Sequence, residues 1–294
     1  MIQDPAGSSP AINPYIVLFA GVLAISTGAI FARMADAPAL VIAAYRVGIA
    51  STILLPFAFW KAGAEMIRLS KRAIILTFLS GLFLAIHFAT WISSLNYTSV
   101  ANSVVFVNTN PIWVALLMPF ITREKIRPYV IISILASVSG GVIIAIGDFQ
   151  TGGETLWGDL LAIMGSICAA VYLLLGRILR QKLSLITYIA LCYGSAAVIL
   201  WTIVFALNLK ATGFETHTVY ALWGIALIPQ LFGHSTYNWA LKWFSTSFIA
   251  VSLLGEPIGS TIMAYFLFDE GLTLSKVIGG AFILSGIYIV ARRQ

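Results

Sequence analysis

Residues 98–124, TSVANSVVFVNTNPIWVALLMPFITRE, and residues 244–270, FSTSFIAVSLLGEPIGSTIMAYFLFDE, decide how this chain reads. The two stretches align without a gap at an offset of 146 residues, and the alignment continues to residues 148 and 294. Identical pairs include Ser99/Ser245, Val105/Val251, Pro111/Pro257, Ile112/Ile258, Phe120/Phe266 and Glu124/Glu270. Ser139/Ser285 and Gly140/Gly286 follow further on. Upstream, Trp91 matches Trp239 after a slip of two residues, while Gly21/Gly165 and Arg33/Arg177 are weaker echoes. Leucine-type matches between apolar segments come easily by chance. The Pro, the Glu thirteen residues after it and the Ser-Gly pair carry the signal.

Around these stretches the chain is apolar almost throughout. Of 294 residues, 60% are hydrophobic and 10% charged, with a mean hydropathy of +0.97. A soluble domain carries roughly 25% charged residues. A water-soluble globule of this size could not cover its surface at 10%, so a polytopic membrane protein is expected. Polar breaks divide the chain into ten apolar runs, near 14–33, 39–60, 74–96, 100–121, 129–147, 157–178, 185–207, 218–241, 247–268 and 275–291. Most are close to the roughly 20 residues a helix needs to cross about 30 Å of hydrocarbon. Strands of a membrane barrel would be about half as long and would alternate. The segments between runs are short and leave no room for a soluble catalytic domain. Residues 1–13 contain Asp4 and no Lys or Arg, which does not fit a signal peptide, so 14–33 is expected to be a retained span.

The basic residues orient the spans. With the N-terminus inside, the inner segments hold Lys61, Arg68, Lys71, Arg72, Arg123, Lys125, Arg127, Arg177, Arg180, Lys182, Lys242, Arg292 and Arg293. The outer side holds Arg33, Lys210 and Lys276, and the 148–159 segment carries the acids Asp148, Glu154 and Asp159. Thirteen against three predicts that both termini are cytoplasmic. The net charge of +6 is then the loop excess of a membrane protein, and no nucleic-acid partner is implied. The expected fold class is all-α, with ten transmembrane helices as two five-helix repeats, residues 1–150 and 151–294. Five is odd, so the second repeat enters the membrane from the opposite side. Glu124 then falls inside and Glu270 outside. Two halves related by an in-plane axis suit a transporter with its binding site near the midplane.

Polar side chains deep in a membrane mark candidate sites because they are costly there. Four runs carry them at helical spacing: His87, Trp91 and Ser94; Asn102, Phe106 and Asn110; Gln230, His234, Tyr237 and Asn238; Ser252 and Glu256. Steps of three or four residues put each set on one helix face, and the sets belong to repeat-related runs. Together they could line one cavity, in which amides donate to a carboxylate and accept from an ammonium. Aromatic rings would pack a side chain or face a cation. The alternative is that these groups only bridge neighbouring helices. Tyr172 and Ser26 sit in mid-run and are further cavity candidates.

Glu256 is the coupling candidate, since a desolvated carboxyl suits proton coupling. It could instead satisfy backbone groups freed by Pro257, or pair with Arg46, the other deep charge. Trp91 and Trp239 fall near the ends of their runs, where aromatic-belt anchoring is the default. Pro111 and Pro257 read as kinks or hinges, and Arg123 with Glu124 as a helix-end pair. Arg46 lies about seven residues from the outer end, close enough to snorkel. Cys168 and Cys192 have no ligand spacing and read as buried core thiols. No metal site or cofactor is expected.

Asn110-Pro111 with Arg123-Glu124, Glu256-Pro257 with Asp269-Glu270, and the closing Ser285-Gly286 with Arg292-Arg293 resemble the drug/metabolite transporter superfamily. The resemblance covers the whole chain and is best to the EamA-type branch, within which it is similar to the YddG amino-acid exporters. It implies a basket of helices around a central cavity. It also implies export of neutral or aromatic amino acids and related metabolites from a bacterial plasma membrane. The implied partners are that small-molecule substrate and the lipid bilayer, with a monomer compatible. Nucleoside and sugar-phosphate carriers are the alternatives within the class, though a phosphate would call for Lys or Arg in the cavity. No GxxxxGK[ST], HExxH or GxSG-type element is present. An ATP-driven pump within this chain and an intramembrane enzyme are therefore the less favoured readings.

Overall fold

The computed structural model describes residues 12–98, 100–146, 153–268, 271 and 273–293. Asp4, Ser99, Asp148, Asp269 and Glu270 lie outside the described residues. Among those described, the regular structure is entirely helical. In chain order it comprises α1 (Pro14–Ser26), α2 (Gly28–Met34), α3 (Ala39–Ile67), α4 (Lys71–Ser94), α5 (Val100–Val107), α6 (Asn110–Ile121) and α7 (Pro128–Ile146). Then follow α8 (Gly153–Arg180), α9 (Leu185–Ala206), α10 (Thr216–Ile225), a π-helical segment Ala226–His234, α11 (Ser235–Ala240), α12 (Thr246–Leu253), α13 (Glu256–Phe268) and α14 (Leu274–Ala291). Eight helical stretches among the described residues are long and apolar enough to cross a membrane. Pro128–Ile144 is a shorter apolar helix, and the run at 218–241 is divided among α10, the π segment and α11.

Local chemistry sets the starts of these helices. Asn13 Oδ1 accepts from the Tyr15 amide at 3.0 Å, with Pro14 supplying a first helical residue that needs no donor. Ser70, Ser184 and Ser245 accept from the amides of Ala73, Thr187 and Phe248 at 3.2–3.3 Å, capping α4, α9 and α12. Thr273 does the same for α14.

Three of the expected runs are interrupted in the middle, while each remains one stretch long and apolar enough to cross a membrane. The first breaks at Thr27. There Ser26 and Thr27 turn their hydroxyls back onto the carbonyls of Val22 and Ala24, at 2.9 and 2.7 Å. The fourth breaks at Asn108 and Thr109, which bond back to the carbonyls of Val104 and Phe106 at 2.9 and 2.7 Å. Such local bonds compete with the helical ladder. The ninth breaks at Leu254–Gly255, after Ser252 bonds back to Phe248 at 2.8 Å. Pro111 and Pro257 are the second residues of α6 and α13. They therefore start helices and do not kink helix interiors, because a missing N–H is tolerated in the first turn.

Helices pack through small residues. α7 and α14 cross where Gly140 and Gly279 leave no room for a side chain, since a Cβ on either would collide with the other's carbonyl. A Cβ on Gly81 of α4 would lie 2.6 Å from the Cys192 carbonyl of α9. Small residues let backbones approach closely in an apolar solvent, where helices gain nothing by hiding apolar surface from each other. The exterior agrees: Trp60, Ile67, Phe120 and Phe266 are all at least 74% exposed. In water such a surface would aggregate.

The helix α8 serves as a ruler through the bundle. Near one end Asp159 accepts from Thr98 at 2.9 Å, and near the other Arg177 pairs with Glu124 at 3.2 Å. At 1.5 Å per residue these ends lie about 27 Å apart, close to the thickness of a hydrocarbon core. At the second end Arg177 also donates to the carbonyls of Leu241 and Phe244, at 2.5 and 3.1 Å. Arg123 and Glu124 follow the end of α6 in a loop, as a helix-end pair should, and Glu124 pairs with Arg177. Arg123 sits at φ +60°, a turn conformation that ends α6.

Candidate functional site

Midway along the ruler, at Ala169, lies a polar cavity of about 40 Å³. α1, α3, α4 and α8 contribute Ile25, Arg46, His87, Trp91 and Ala169. The break after α5 contributes Val107, Asn108 and Asn110, and the later helices contribute His234, Tyr237, Leu253 and Glu256. Larger hollows lie toward the two ends. One of about 560 Å³ is bordered by Arg33, Asn96, Tyr97 and Thr98. The other, of about 590 Å³, is bordered by Glu124, Lys125, Arg127, Arg177 and Arg293.

The cavity is shaped by the two breaks. A proline at 111 cannot donate to the carbonyl of Val107, four residues back, nor can Pro257 donate to Leu253. Val107 and Leu253 both border the cavity. Asn108 Nδ2 donates to Glu256 Oε2 at 3.2 Å, so the breaks also touch each other. Glu256 occupies the first turn of α13, where the helix dipole favours an acid.

Arg46 is the cavity's cation. It is 1% exposed, which corrects the expectation that it would snorkel to an interface. Its guanidinium lies 4.0 Å from the centre of the Phe88 ring and 5.5 Å from that of Trp91. Its Nε donates to Gln230 Oε1 at 2.8 Å. A stacked and hydrogen-bonded guanidinium is a fixed one, and Arg suits such a buried post because it is more weakly hydrated than Lys. No carboxylate lies within 4.0 Å of it among the described residues, so the expected pairing with Glu256 does not form an ion pair.

The aromatic wall is continuous. His87 and Trp91 stack with planes 6° apart and centres at 6.0 Å, and His87 Nδ1 sits 2.9 Å from the Gly165 carbonyl. His234 Nδ1 meets the Tyr237 hydroxyl at 2.5 Å. Trp91 is 3% exposed and belongs to this wall, so the belt-anchor reading does not hold for it. Trp239 is half-buried and packs against Trp243 at 5.8 Å.

Of the residues expected to line a cavity, His87, Trp91, Asn110, His234, Tyr237 and Glu256 do so. Gln230 stands behind the lining and is held to it by Arg46. Asn238 and Tyr172 stand outside the lining, in their own network. Asn238 Nδ2 donates to Tyr172 Oη at 2.6 Å, to the His234 carbonyl at 2.7 Å and to Tyr193 Oη at 3.4 Å. Asn102 is buried away from the cavity, and Phe106 is half-buried and does not border it. The break at 108–109 is the reason: α5 ends before Asn110, so the three residues no longer share one helix face. Ser26, Ser94 and Ser252 are engaged with backbone carbonyls. Asn108 and Arg46 are the site residues absent from the expected set. A third amide in the 102–110 segment, one step from the Asn110-Pro111 pair, was the available signal for the first.

Among the described residues no group of His, Cys, Asp and Glu could hold a metal ion. Cys168 and Cys192 are free and buried.

The sequence profile of the EamA-like transporter family matches residues 13–146 and again residues 156–292. An uncharacterized transporter of Archaeoglobus fulgidus is 27% identical over 263 residues, covering 86% of this chain and 88% of its own. The uncharacterized transporter YyaM of Bacillus subtilis is 23% identical over 255 residues, covering 83% and 82%. One crystal structure superposes with a TM-score of 0.77 over 95% of this chain and 98% of the other, at 18% identity, which shows a shared fold.

Proposed function

Because the chain belongs to the EamA-like transporter family, an integral membrane family, we propose that it is a secondary carrier that exports neutral or aromatic amino acids and related small metabolites by alternating access. The observation that carries this reading is the position of the cavity. It lies midway between the two ends of α8 and is bordered by residues from both stretches that the family profile matches. At about 40 Å³ it has room for about three waters and is too small for an amino acid in this conformation. A solute is admitted only when walls move, and the larger hollows toward both ends are where they would open.

In this reading the chain has ten spans in two inverted halves, 1–150 and 151–294. The breaks at Asn108–Thr109 and Leu254–Gly255 support it, because they recur at the same offset of 146 residues as the sequence pairs. Discontinuous helices at repeat-related positions are where transporters place their binding sites. The basic end, with Lys125, Arg127, Arg177 and Arg293, faces the cytoplasm of a bacterial plasma membrane, and both termini with it. His87, Trp91, Asn110, His234 and Tyr237 form the substrate wall. Pro111 and Pro257 mark the hinges. Glu256 couples transport to protons.

Counterflow into proteoliposomes tests this. Purified protein should exchange radiolabelled neutral and aromatic amino acids with saturation. Exchange of uridine or glucose 6-phosphate in their place would move the substrate to another metabolite class. Flux that rises without saturation would indicate a channel.

A further inference from the structure

Three buried N–H donors in and around the cavity have no acceptor among the described residues: Arg46 Nη1, Gln230 Nε2 and the indole Nε1 of Trp91. All three residues are at least 97% buried. They form one cluster, since Gln230 holds Arg46 by its Nε and the guanidinium lies over Trp91. Buried donors without acceptors are rare in folded proteins and call for an explanation. Three together, one of them charged, are costlier still, because a buried cation without a counter-ion is strongly unfavourable. The structure relieves this only in part: Glu256 attracts the guanidinium through the cavity, but it is engaged by Asn108 and is not within ion-pair distance of Arg46.

We infer that Arg46, with Gln230 and Trp91, is a carboxylate-binding site, and that every solute this protein moves must carry a carboxylate. The inference rests on the carrier reading and names what the carrier recognises. A carboxylate accepts through two oxygens with about four lone-pair sites, so one group can take the Arg46 donor and a neighbouring amide or indole donor at once. Phe88 covers one face of the guanidinium and Gln230 occupies its Nε, while Nη1 is closed off in this conformation and comes within reach of a head group only when the walls move. Gly28 makes the approach possible. A Cβ placed there would lie 3.4 Å from Arg46 Nη1 and 3.3 Å from the Trp91 ring. The chemistry selects a carboxylate over a phosphate. Among the described residues Arg46 is the one Lys or Arg bordering the cavity, too little charge for a dianion. Opposite stand the Glu256 carboxyl and Asn110 Oδ1, which has no donor among the described residues.

The test is competition on the full-length wild-type protein in proteoliposomes. Counterflow of labelled L-phenylalanine and L-leucine is challenged with the unlabelled parents. It is then challenged with phenethylamine and isopentylamine, which lack the carboxylate, and with L-phenylalaninamide, in which it is neutral and close to isosteric. The expected result is that amines and amide compete at least tenfold more weakly than the parents. Arg46→Gln should abolish this preference by weakening the parents and leaving the amines unchanged. Gln230→Leu, which keeps the guanidinium, should weaken the parents several-fold and serves if Arg46→Gln does not fold. Equal competition by amine, amide and parent overturns the carboxylate site while the amino-acid carrier stands. Counterflow of uridine without counterflow of any amino acid overturns both.

Discussion

Asn108 reaches Glu256 across the centre of the molecule, its Nδ2 donating to Oε2 at 3.2 Å. Each residue stands where a helix is interrupted, so a single hydrogen bond fastens the interruption between α5 and α6 to that between α12 and α13. A hydrogen bond to a charged group contributes about 1.5–3 kcal/mol. Asn108→Leu keeps the volume and removes the donor. Counterflow in proteoliposomes should fall about tenfold or more, the rate equivalent of that energy. The melting temperature should also drop, because the carboxyl is left buried with one donor fewer.

Glu256→Gln tests coupling separately from binding. The amide still accepts from Asn108, so substrate exchange without a gradient should persist at a comparable rate. Accumulation driven by a pH gradient should disappear. Accumulation that survives the substitution would assign Glu256 to structure alone.

At Gly28, where α1 gives way to α2, a methyl would touch Arg46 Nη1 at 3.4 Å and crowd the Trp91 ring at 3.3 Å. A valine would push its branches into that wall. Gly28→Val should therefore abolish binding measured by ligand-induced thermal stabilisation while the protein remains monodisperse in detergent.

The close crossing of α7 and α14 predicts a stability effect far from the cavity. Gly140→Val forces the backbones apart at Gly279, and overpacking of this kind costs typically 1–3 kcal/mol. Gly63→Ala is the control, because a Cβ there meets nothing within 4 Å. It should leave the melting temperature unchanged or raise it slightly, since alanine has less conformational freedom to lose. Thermal unfolding in detergent reads both.

Orientation is accessible to labelling. Both native cysteines are buried, so single cysteines can be introduced without removing them. A membrane-impermeant maleimide added to intact cells should label Lys210→Cys and spare Lys125→Cys, with the pattern reversed in inside-out vesicles.

The apolar runs are legible because about 20 consecutive apolar residues have few other uses. Eight of them correspond to helical stretches able to cross a membrane. Interruptions within the runs are harder to read. At Ser26-Thr27 and Asn108-Thr109 the helix is broken by short polar side chains bonding to their own backbone, and the same residue types elsewhere in the chain sit inside intact helices. Thr90 bonds back to Ile86 in mid-α4 with no break at all. The site suffers from the same ambiguity. His87, His234 and Glu256 are recognisable because depth makes a polar group conspicuous, whereas Arg46, a deep charge about seven residues from the end of its run, reads as able to snorkel or to pair with Glu256 until tertiary packing places it over Phe88. The π-helical segment moves Gln230 out of the register that a 3.6-residue period assigns it, and behind the wall it was expected to form.

The small size of the central cavity bears on what the host membrane can tolerate. Eleven of the twelve residues around the cavity are buried, and the space they leave holds about three waters. A continuous file of water through the protein would conduct protons and dissipate the transmembrane voltage, worth about 2.3 kcal/mol per charge at 100 mV. A carrier whose centre never opens to both sides at once can be present in many copies without discharging the ion gradients on which neighbouring transporters depend.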